Sequence, residues 1–560
     1  MGDPIDGLKV RLRRYPHLYS LLRAGKTTWL RLCKLENKRP HGVRVRRIRA
    51  IEHEVQQIEA RNGQSGQAPI LFFNASSHLT NLSFNAAVGL VTLWGLRLAG
   101  QRVVYFVCHG GLGKCVQGTS RADISSPPPC ATCVAHNSLW YPTTHTIAFP
   151  PLASDQSVLR DKVTSMRLEE LAGFCYGDLD IGNLCVPSAR WILRRHNLNS
   201  EAAGRQVLAA YVVSAIGLAQ ELERLFETQQ PRALVVFNGI FFPEATARAV
   251  AMAHGIPVVS YEIGFRSLSA FFSHGVAAEY PISIPASFQM GPAEDTELDQ
   301  YLADRMQGNF TMGGVRFWPE MKSVGPDLRR KAEAYRQMVT VFTNVVFDTS
   351  QTYANTIFEN MFDWLDETMR IAAAHPQTLF IVRAHPDELR PGKESQEPVE
   401  QWIKARGYLG LPNLTFIAPT EYISSYDLIY LSRFCIVYNS TVGLEATLLG
   451  TLVVSGGRTR YSQEAVTHAP ASRKAYRILI ESFLKGDVPP VSKAWQHRAR
   501  RFMYYSLFRA SLDLSAFVEP LAQYDYAVKP ILAQALHPDR SPEMRIIYDG
   551  IINGKPFHYT

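Results

Sequence analysis

Two segments in the second half of the chain combine residue types that bind phosphate. The first reads FIVRAHPDE, residues 380–388, where a run of β-forming residues ends in Arg383, His385 and Pro386. Arginine brings a permanent planar cation, and histidine can donate a hydrogen bond to a phosphate oxygen. Pro386 keeps His385 extended, which directs the imidazole out of the edge of a sheet. The pattern predicts a phosphate site at a strand end; the alternative is a loop histidine satisfied by the backbone.

The second segment reads IVYNSTVGLEATLLGTLVVSGG, residues 436–457, and predicts a strand, a turn and a helix. Ser440 and Thr441 can cap the helix, whose first N–H groups would face an anion. Gly443 allows a ligand or a neighbouring backbone to approach closely, and Glu445 can accept hydrogen bonds from ribose hydroxyls. The alternative is a plain helix cap that Glu445 completes.

Ser424 and Ser425 precede the helix that leads to this strand. They either touch the base or ribose of a nucleotide or cap that helix. The predicted nucleotide-binding residues are Arg383, His385, Pro386, Ser424, Ser425, Asn439, Ser440, Thr441, Gly443 and Glu445.

Three residues are candidates for catalysis. Asp348 follows the predicted strand VTVFTNVV and either acts as a general base or caps the next helix. Glu262 ends a strand of the first half, where a carboxylate can deprotonate or position a hydroxyl group. His385 can stabilise a departing phosphate.

Four cysteines show the pattern C-x6-C-x14-C-x2-C, namely Cys108, Cys115, Cys130 and Cys133. Four thiolates with one close pair can hold a structural zinc ion or an iron–sulfur cluster, with His109 as a substitute ligand. Unliganded thiols are the alternative.

Alternating strands and helices must position these residues. The strands predicted in the first half are 69–74, 103–108, 233–238 and 255–264. Those in the second half are 339–346, 378–383, 414–419, 434–439 and 451–456. This alternation favours parallel, doubly wound sheets, which bind ligands at the carboxyl ends of their strands.

The predicted fold class is α/β and GT-B-like, with two Rossmann-like parallel-sheet domains facing a cleft and a C-terminal crossing helix. The expected organisation has five parts: a basic N-terminal arm (1–60), an acceptor domain with the cysteine-containing loop (61–280), an inter-domain connection (281–335), a nucleotide-binding domain (336–490), and a C-terminal helix and tail (491–560). Residues 495–525 are expected to be helical, and the last 35 residues irregular.

Composition limits the class of protein. The chain has 560 residues, of which 46% are hydrophobic and 19% charged, as in ordinary globular proteins of two domains. No stretch is expected to span a bilayer, and the first residues lack an apolar signal core, which predicts a cytoplasmic location. No GxxxxGK[ST] loop occurs in the sequence, so a P-loop NTPase is not expected.

Positive charge is concentrated at the start of the chain. The net charge is +9, yet residues 1–50 alone hold 14 Lys and Arg against three acidic residues. Cations interleaved with leucine and aromatic residues predict peripheral contact with the inner face of the plasma membrane. A solvated arm is the alternative. No nucleic-acid partner is expected, because the rest of the chain lacks a basic stripe.

The motifs VFTNVVFDTS, FIVRAHPDE, SSYDL and YNSTVGLEATLLGTLVV together resemble the capsule polysaccharide biosynthesis proteins, the Kps-type Kdo transferases. NGIFFPEATARAVAMAHGIPVVSYEIG and FFSHG resemble the first-domain half of the same group. The resemblance covers most of residues 69–480. It implies a GT-B glycosyltransferase at the cytoplasmic face that needs no metal for catalysis. By analogy with related bacterial sialyltransferases, His385-Pro386 and Ser440-Thr441 would hold CMP.

The predicted function is transfer of a sugar from a nucleotide donor, CMP-Kdo-like, to a surface polysaccharide or a lipid-linked glycan. UDP and GDP sugars remain open as donors. One alternative is a polyol-phosphate transferase that uses CDP-glycerol; the other is a non-catalytic scaffold subunit of envelope-glycan assembly. The sequence matches no acidic-acidic-glycine motif, so the base and the stereochemical course stay open.

Overall fold

The structure, a computed structural model, describes residues 42–61, 68–74, 82–140, 146–149, 157–309, 321–486, 488–522 and 525–560. Most of the predicted basic arm, residues 1–41, lies outside this range. Residues 42–61 form a helix that is part of the core and not an arm, because Ile48 and Val55 are fully buried. Glu52 in this helix forms a buried ion pair with Arg97 at 2.9 Å.

Fourteen strands and seventeen α-helices are present in the described residues. The strands are β1 (Ile70–Asn74), β2 (Val103–Cys108), β3 (Thr146–Phe149), β4 (Ala233–Phe237), β5 (Val258–Ile263), β6 (Ser269–Ser273), β7 (Gln337–Phe342), β8 (Thr378–Arg383), β9 (Leu414–Ile417), β10 (Phe434–Val437), β11 (Val453–Ser455), β12 (Leu512–Asp513), β13 (Val518–Ala522) and β14 (Asp525–Val528). The helices are 42–61, Phe84–Leu98, Cys130–Trp140, Ser157–Ser165, Leu168–Ala172, Ile181–Leu193, Ala202–Gln229, Glu244–Ala253, Pro292–Met306, Pro326–Glu333, Met361–Ala374, Val399–Ala405, Ser425–Leu431, Val442–Leu448, Arg473–Lys485, Lys493–Tyr504 and Pro542–Asn553.

The first lobe is built on a seven-stranded sheet of order β12-β6-β5-β4-β1-β2-β3. Strands β1 to β5 run parallel, and β6 and β12 add an antiparallel edge. Successive residues of a strand face opposite sides, so Ile70 and Phe72 join one core while Leu71 and Phe73 join the other. Helices cover both faces, which explains why the strands are continuous apolar runs.

The second lobe contains a five-stranded, fully parallel sheet of order β11-β10-β7-β8-β9. In each sheet the strand order reverses beside the strand that comes first in the sequence. Strands β2 and β4 flank β1 in the first sheet, and β8 and β10 flank β7 in the second. In the second lobe this switch point lies between β7 and β10. The α/β, GT-B-like fold class is confirmed, with two Rossmann-like parallel sheets and a chain that crosses between them.

The crossing differs from the predicted helix over 495–525. The helix Lys493–Tyr504 continues as a π-helical turn, Tyr505–Arg509, and the chain then enters β12 at the edge of the first sheet. Leu512 and Leu514 are fully buried at alternate positions, which is the periodicity of a strand. Pairing with β6 makes this segment a strand where a helix was predicted.

The last 35 residues, predicted to be irregular, contain β14 and the helix Pro542–Asn553. Met544 and Ile547 of this helix are buried in the core of the first lobe. Its signals are visible in the sequence: Ser541 caps the first turn, Pro542 opens it, and Gly554 ends it at φ +66°.

The segment predicted as a connection, 281–335, also contains regular structure. The helix Pro292–Met306 buries Leu298 and Leu302 in the same apolar cluster as Phe502 of the crossing helix.

The expectation that no stretch could span a bilayer was wrong. Helix Ala202–Gln229 is long and apolar enough to do so. In the structure 67% of its apolar window is buried inside the first lobe, as in a core helix.

Candidate nucleotide-binding site

A pocket of about 290 Å3 opens at the carboxyl edge of the second sheet. Residues that follow β7, β8 and β10 form its walls, so it lies at the switch point where such folds bind ligands. The predicted residues that line it are Asp348, Arg383, His385, Pro386, Ser425, Asn439, Ser440, Thr441 and Glu445. The two segments predicted to bind phosphate, distant in the sequence, therefore meet at one pocket.

His385 follows β8 and begins a short 3-10 turn, Pro386–Leu389. The backbone N–H of Asp387 donates to His385 Nδ1 at 3.1 Å. Burial lowers the pKa of His385, and Asp387 opposes this only in part. The imidazole is therefore neutral at neutral pH, and its one proton is on Nε2, where it serves as a hydrogen-bond donor.

Arg383 forms the base of the pocket. Its side chain is buried, and Nη1 donates to the carbonyl oxygen of Ala418 at 2.7 Å, which fixes the guanidinium beneath the pocket. Burial lowers the pKa of Arg383 to about 10, so the side chain remains a cation at neutral pH. A fixed positive charge at this depth favours an anion above it.

Asn439 and Thr441 differ in the hydrogen bonds that their side chains make within the protein. Asn439 is buried, accepting a hydrogen bond from Gln351 at 3.0 Å and donating one to the carbonyl oxygen of Ser350 at 2.9 Å. It therefore ties the loop after β10 to the loop after β7. Thr441 stands at the N-cap of helix Val442–Leu448 without a side-chain capping bond. Among the described residues its hydroxyl group has no hydrogen-bond partner, which does not fit a plain helix cap.

Ser440 and Gly443 are held by Tyr461. The Tyr461 hydroxyl donates to the carbonyl oxygen of Ser440 at 2.9 Å. Ser440 Oγ accepts a hydrogen bond from the N–H of Val442 at 3.4 Å, which is the capping alternative. Gly443 does not line the pocket, and a Cβ there would collide with the Tyr461 hydroxyl. The close approach predicted at Gly443 is therefore made by a side chain of the protein.

Glu445 holds other residues in place. Its Oε1 accepts from Arg305 at 2.8 Å, and its Oε2 accepts from the Tyr426 hydroxyl at 2.7 Å. Burial acts to lower the pKa of Arg305, but Glu445 raises it well above the usual value. Arg305 comes from the predicted connection, and sequence reasoning missed it because no local motif surrounds it.

Ser424 and Asp348 both cap short helices. Ser424 is buried behind the pocket wall and accepts from the N–H of Asp427 at 3.2 Å, which is the capping alternative. Asp348 lines the pocket but also caps a 3-10 turn, accepting from the Ser350 hydroxyl at 2.6 Å. Its carboxylate therefore has a structural role as well as a position beside the ligand.

Glu262 lies on the first lobe, outside the pocket lining. It accepts from the Asn238 amide at 2.6 Å. Burial raises the pKa of Glu262, Asp348 adds to this, and Arg460 of the pocket opposes it. Glu262 therefore interacts electrostatically with two residues of the pocket lining, Asp348 and Arg460.

Three cations lie near one another outside the lining of the pocket, and we call them the cation cluster: Arg194, Arg390 and Lys393. Arg194 stacks on the Trp191 ring at 4.0 Å and on the Phe347 ring at 5.2 Å. Arg390 Nε forms an ion pair with Asp387 at 2.8 Å. Burial, followed by the nearby Arg390, lowers the pKa of Lys393 to about 8.

The sequence offered a partial signal for this cluster. Arg390 and Lys393 follow His385 closely and could have been included with its motif. Arg194 ends a first-lobe helix, Ile181–Leu193, and only tertiary packing brings it to the cleft.

The four predicted cysteines also come together. Cys108, Cys115, Cys130 and Cys133 line one small cavity in the first lobe, whereas His109 is exposed and does not. Burial raises the pKa of Cys115 to about 12, and its three cysteine neighbours add to the shift.

Two Rossmann-like lobes, with a polar pocket at the switch point of the second, define a GT-B-like fold. No known sequence family and no curated protein matches the chain. The structure is similar to two KpsC enzymes of Thermosulfurimonas dismutans. The β-Kdo 2,4-transferase has 14% identity and a TM-score of 0.31 over 55% of this chain and 87% of its own. The β-Kdo 2,7-transferase has 14% identity and a TM-score of 0.30 over 60% and 90%.

A third similar structure is the UDP-GlcNAc 2-epimerase of Neisseria meningitidis bound to UDP-GlcNAc. Its identity is 12% and its TM-score 0.24, over 78% of this chain and 99% of the epimerase. The two Kdo transferases are of the group that the sequence motifs resemble.

Proposed function

We propose that the protein is a glycosyltransferase that moves an acidic sugar from a CMP-linked donor to a surface glycan or a lipid-linked acceptor. The observation that carries the proposal is the meeting of the His385 imidazole with the hydroxyl groups of Ser440 and Thr441 in one pocket. Arg383 lies beneath them as a buried cation.

These groups fit the departure of CMP. In the transfer, the bond between the anomeric carbon of the sugar and a phosphate oxygen breaks, and both electrons stay with the phosphate. Negative charge therefore grows on that oxygen. The Nε2 proton of His385 and the two hydroxyl groups are donors suited to stabilise it, and such preorganised donors lower a barrier substantially. Side chains supply this stabilisation in the proposal, without a metal ion.

The cation cluster supports a donor sugar that carries a carboxylate. Arg390 and Lys393 lie on the loop that follows His385, and Arg194 approaches from the first lobe. Asp387 compensates one of the three charges. In the proposal, the positive charge of the cluster attracts the carboxylate of a sugar held beside the nucleotide phosphate, an attraction that a neutral sugar lacks.

The acceptor hydroxyl must lose a proton to a base in the cleft. Glu262 is the better candidate, because burial raises its pKa and so makes the carboxylate a stronger base. Asp348 is the second candidate and is already bonded to Ser350. In this scheme the hydroxyl proton moves to the carboxylate as the new glycosidic bond forms.

The cellular setting of the proposal rests on the sequence. Residues 1–41 hold most of the excess positive charge and lie outside the described residues. In the proposal they hold the enzyme at the inner face of the plasma membrane, close to a lipid-linked acceptor.

Nucleotide preference tests the proposal. A ligand that binds only the folded protein raises its melting temperature. We expect CMP to raise it more than UMP or GMP, and His385→Ala to remove most of the shift. The matched control His497→Ala, an exposed histidine of helix Lys493–Tyr504, should keep the shift. An equal response to all three nucleotides, or an unchanged response in His385→Ala, would contradict the site.

Donor hydrolysis separates the alternatives. A sugar transferase should slowly release sugar and CMP from CMP-Kdo without an acceptor. A polyol-phosphate transferase should instead release CMP from CDP-glycerol, because the bond it breaks joins two phosphates. A scaffold subunit should cleave neither donor.

A further inference from the structure

The loop between β2 and the helix Cys130–Trp140 is unusual. Residues 109–129 contain no helix or strand, and structureless loops of such length in compact domains generally have a function. Cys108 ends the strand before the loop, and Cys130 and Cys133 lie in the helix after it. Together with Cys115 they line a cavity of about 20 Å3. Thiol groups from both ends of the loop and from Cys115 within it therefore share one cavity.

We propose that Cys108, Cys115, Cys130 and Cys133 bind one zinc ion, which fixes this loop against the first lobe. Four cysteine ligands are a common set for tetrahedral structural zinc. The size of the cavity favours a single ion over a cluster, the two metal groups that four thiolates can hold. About 20 Å3 is room for about one atom, whereas an iron–sulfur cluster brings several iron and sulfide ions.

The surroundings of Cys115 fit a metal thiolate. The backbone N–H of Gly118 lies 3.2 Å from Cys115 Sγ and donates to it. Hydrogen bonds of this kind orient metal ligands from outside the coordination sphere. A Cβ at Gly118 would lie 2.6 Å from Pro128 Cβ, so a side chain there would displace the loop.

Binding requires a local adjustment. Within the described residues, no three His, Cys, Asp or Glu side chains stand close enough together to ligate an ion as placed. The four thiols share one cavity, so side-chain rotation toward its centre is the movement that the proposal needs. A Zn–S distance of about 2.3 Å is the expected result.

The fixed loop reaches the cleft. Arg121, on the loop, donates from Nη2 to the carbonyl oxygen of Gly392 at 2.7 Å. Gly392 precedes Lys393 of the cation cluster, so this bond joins the first lobe to the loop that follows His385. Lys114 holds the loop from inside, donating to Ile124 O at 2.7 Å and Ser126 O at 2.5 Å. The ion would thus stabilise a contact between the lobes at the edge of the site.

Metal analysis of the full-length protein, purified under reducing conditions, tests the proposal. We expect about one zinc ion per chain, and replacement by Co2+ should give the visible absorption of tetrahedral cobalt thiolate. Cys130→Ser/Cys133→Ser should lose the metal, while Cys175→Ser, a matched change at an exposed cysteine, should keep it. Absence of zinc from the wild type after reconstitution, iron with acid-labile sulfide, or a disulfide among the four cysteines would overturn the proposal.

A second measurement does not depend on folding of the double variant. Zinc is removed from the wild type with a chelator, and the protein is digested briefly with trypsin. We expect faster cleavage at Arg121 without zinc and restored protection when zinc is returned. The same rate of cleavage with and without zinc would overturn the claim that the ion fixes the loop.

Discussion

Loss of the His385 imidazole should lower the rate of sugar transfer strongly while changing the free energy of unfolding little. A hydrogen bond to a charged group contributes about 1.5–3 kcal/mol, which corresponds to about 10- to 150-fold in rate. If the Nε2 proton meets the phosphate oxygen mainly as charge develops, the loss appears in kcat. We therefore expect His385→Ala to lower kcat about 100-fold with a small change in KM for the donor.

The pH profile gives the same residue a second test. Burial lowers the pKa of His385, so the neutral imidazole persists as the pH falls through 6.5. Its second proton adds only at more acidic pH, on Nδ1, where it disrupts the bond from the Asp387 N–H. We therefore expect the kcat of the wild type to show no titration near pH 6.5 that is missing from His385→Ala.

Steady-state kinetics with CMP-Kdo, measured between about pH 5 and 8, checks both points. His497→Ala serves as the exposed control. A kcat within about threefold of the wild type in His385→Ala, well below the range expected for one such bond, would refute the assigned role. A titration near 6.5 that disappears with His385 would refute the lowered pKa of this residue.

Three further predictions concern the pocket wall and the cation cluster. Thr441→Val should weaken CMP binding about tenfold yet change stability by less than about 0.5 kcal/mol, because the hydroxyl has no partner in the described residues. Glu445→Gln should destabilise the protein by about 3 kcal/mol, because it leaves Arg305, whose side chain is only 12% exposed, without its carboxylate. Donor KM should rise as the pH rises through about 8, where Lys393 loses its charge, and Lys393→Met should have a high KM throughout.

Matched changes at exposed positions control these variants: Thr420→Val, Glu333→Gln and Lys404→Met. Calorimetric titration with CMP measures the first prediction, and denaturant unfolding the second. The third needs donor kinetics against pH. Equal CMP affinity in Thr441→Val, equal stability in Glu445→Gln, or a pH-independent KM in the wild type would each contradict the corresponding contact.

Local patterns predicted most strands of both sheets. Strands β2 and β8 begin and end where their apolar runs do, at 103–108 and 378–383. A continuous apolar run followed by polar residues is a strong signal, because a strand buried on both faces leaves no other place for polar groups. The same signal placed His385 and Thr441 at strand ends, and parallel pairing then brought them to one edge.

Residues that act through tertiary packing could not be found this way. Arg305 and Arg194 come from helices with no motif around them, and Glu445 is occupied by Arg305 and Tyr426. The partner of Gly443 is Tyr461, which the sequence separates from it by a strand and a loop. These contacts depend on how helices pack between the lobes, and the periodicity of any one segment does not encode that packing.

A structure of the protein with CMP tests the central claim most directly. We expect the CMP phosphate in the pocket at the carboxyl ends of β8 and β10, with an oxygen about 3 Å from His385 Nε2 and another within reach of the Ser440 and Thr441 hydroxyls. A phosphate bound elsewhere, with His385 and Thr441 untouched, would contradict it.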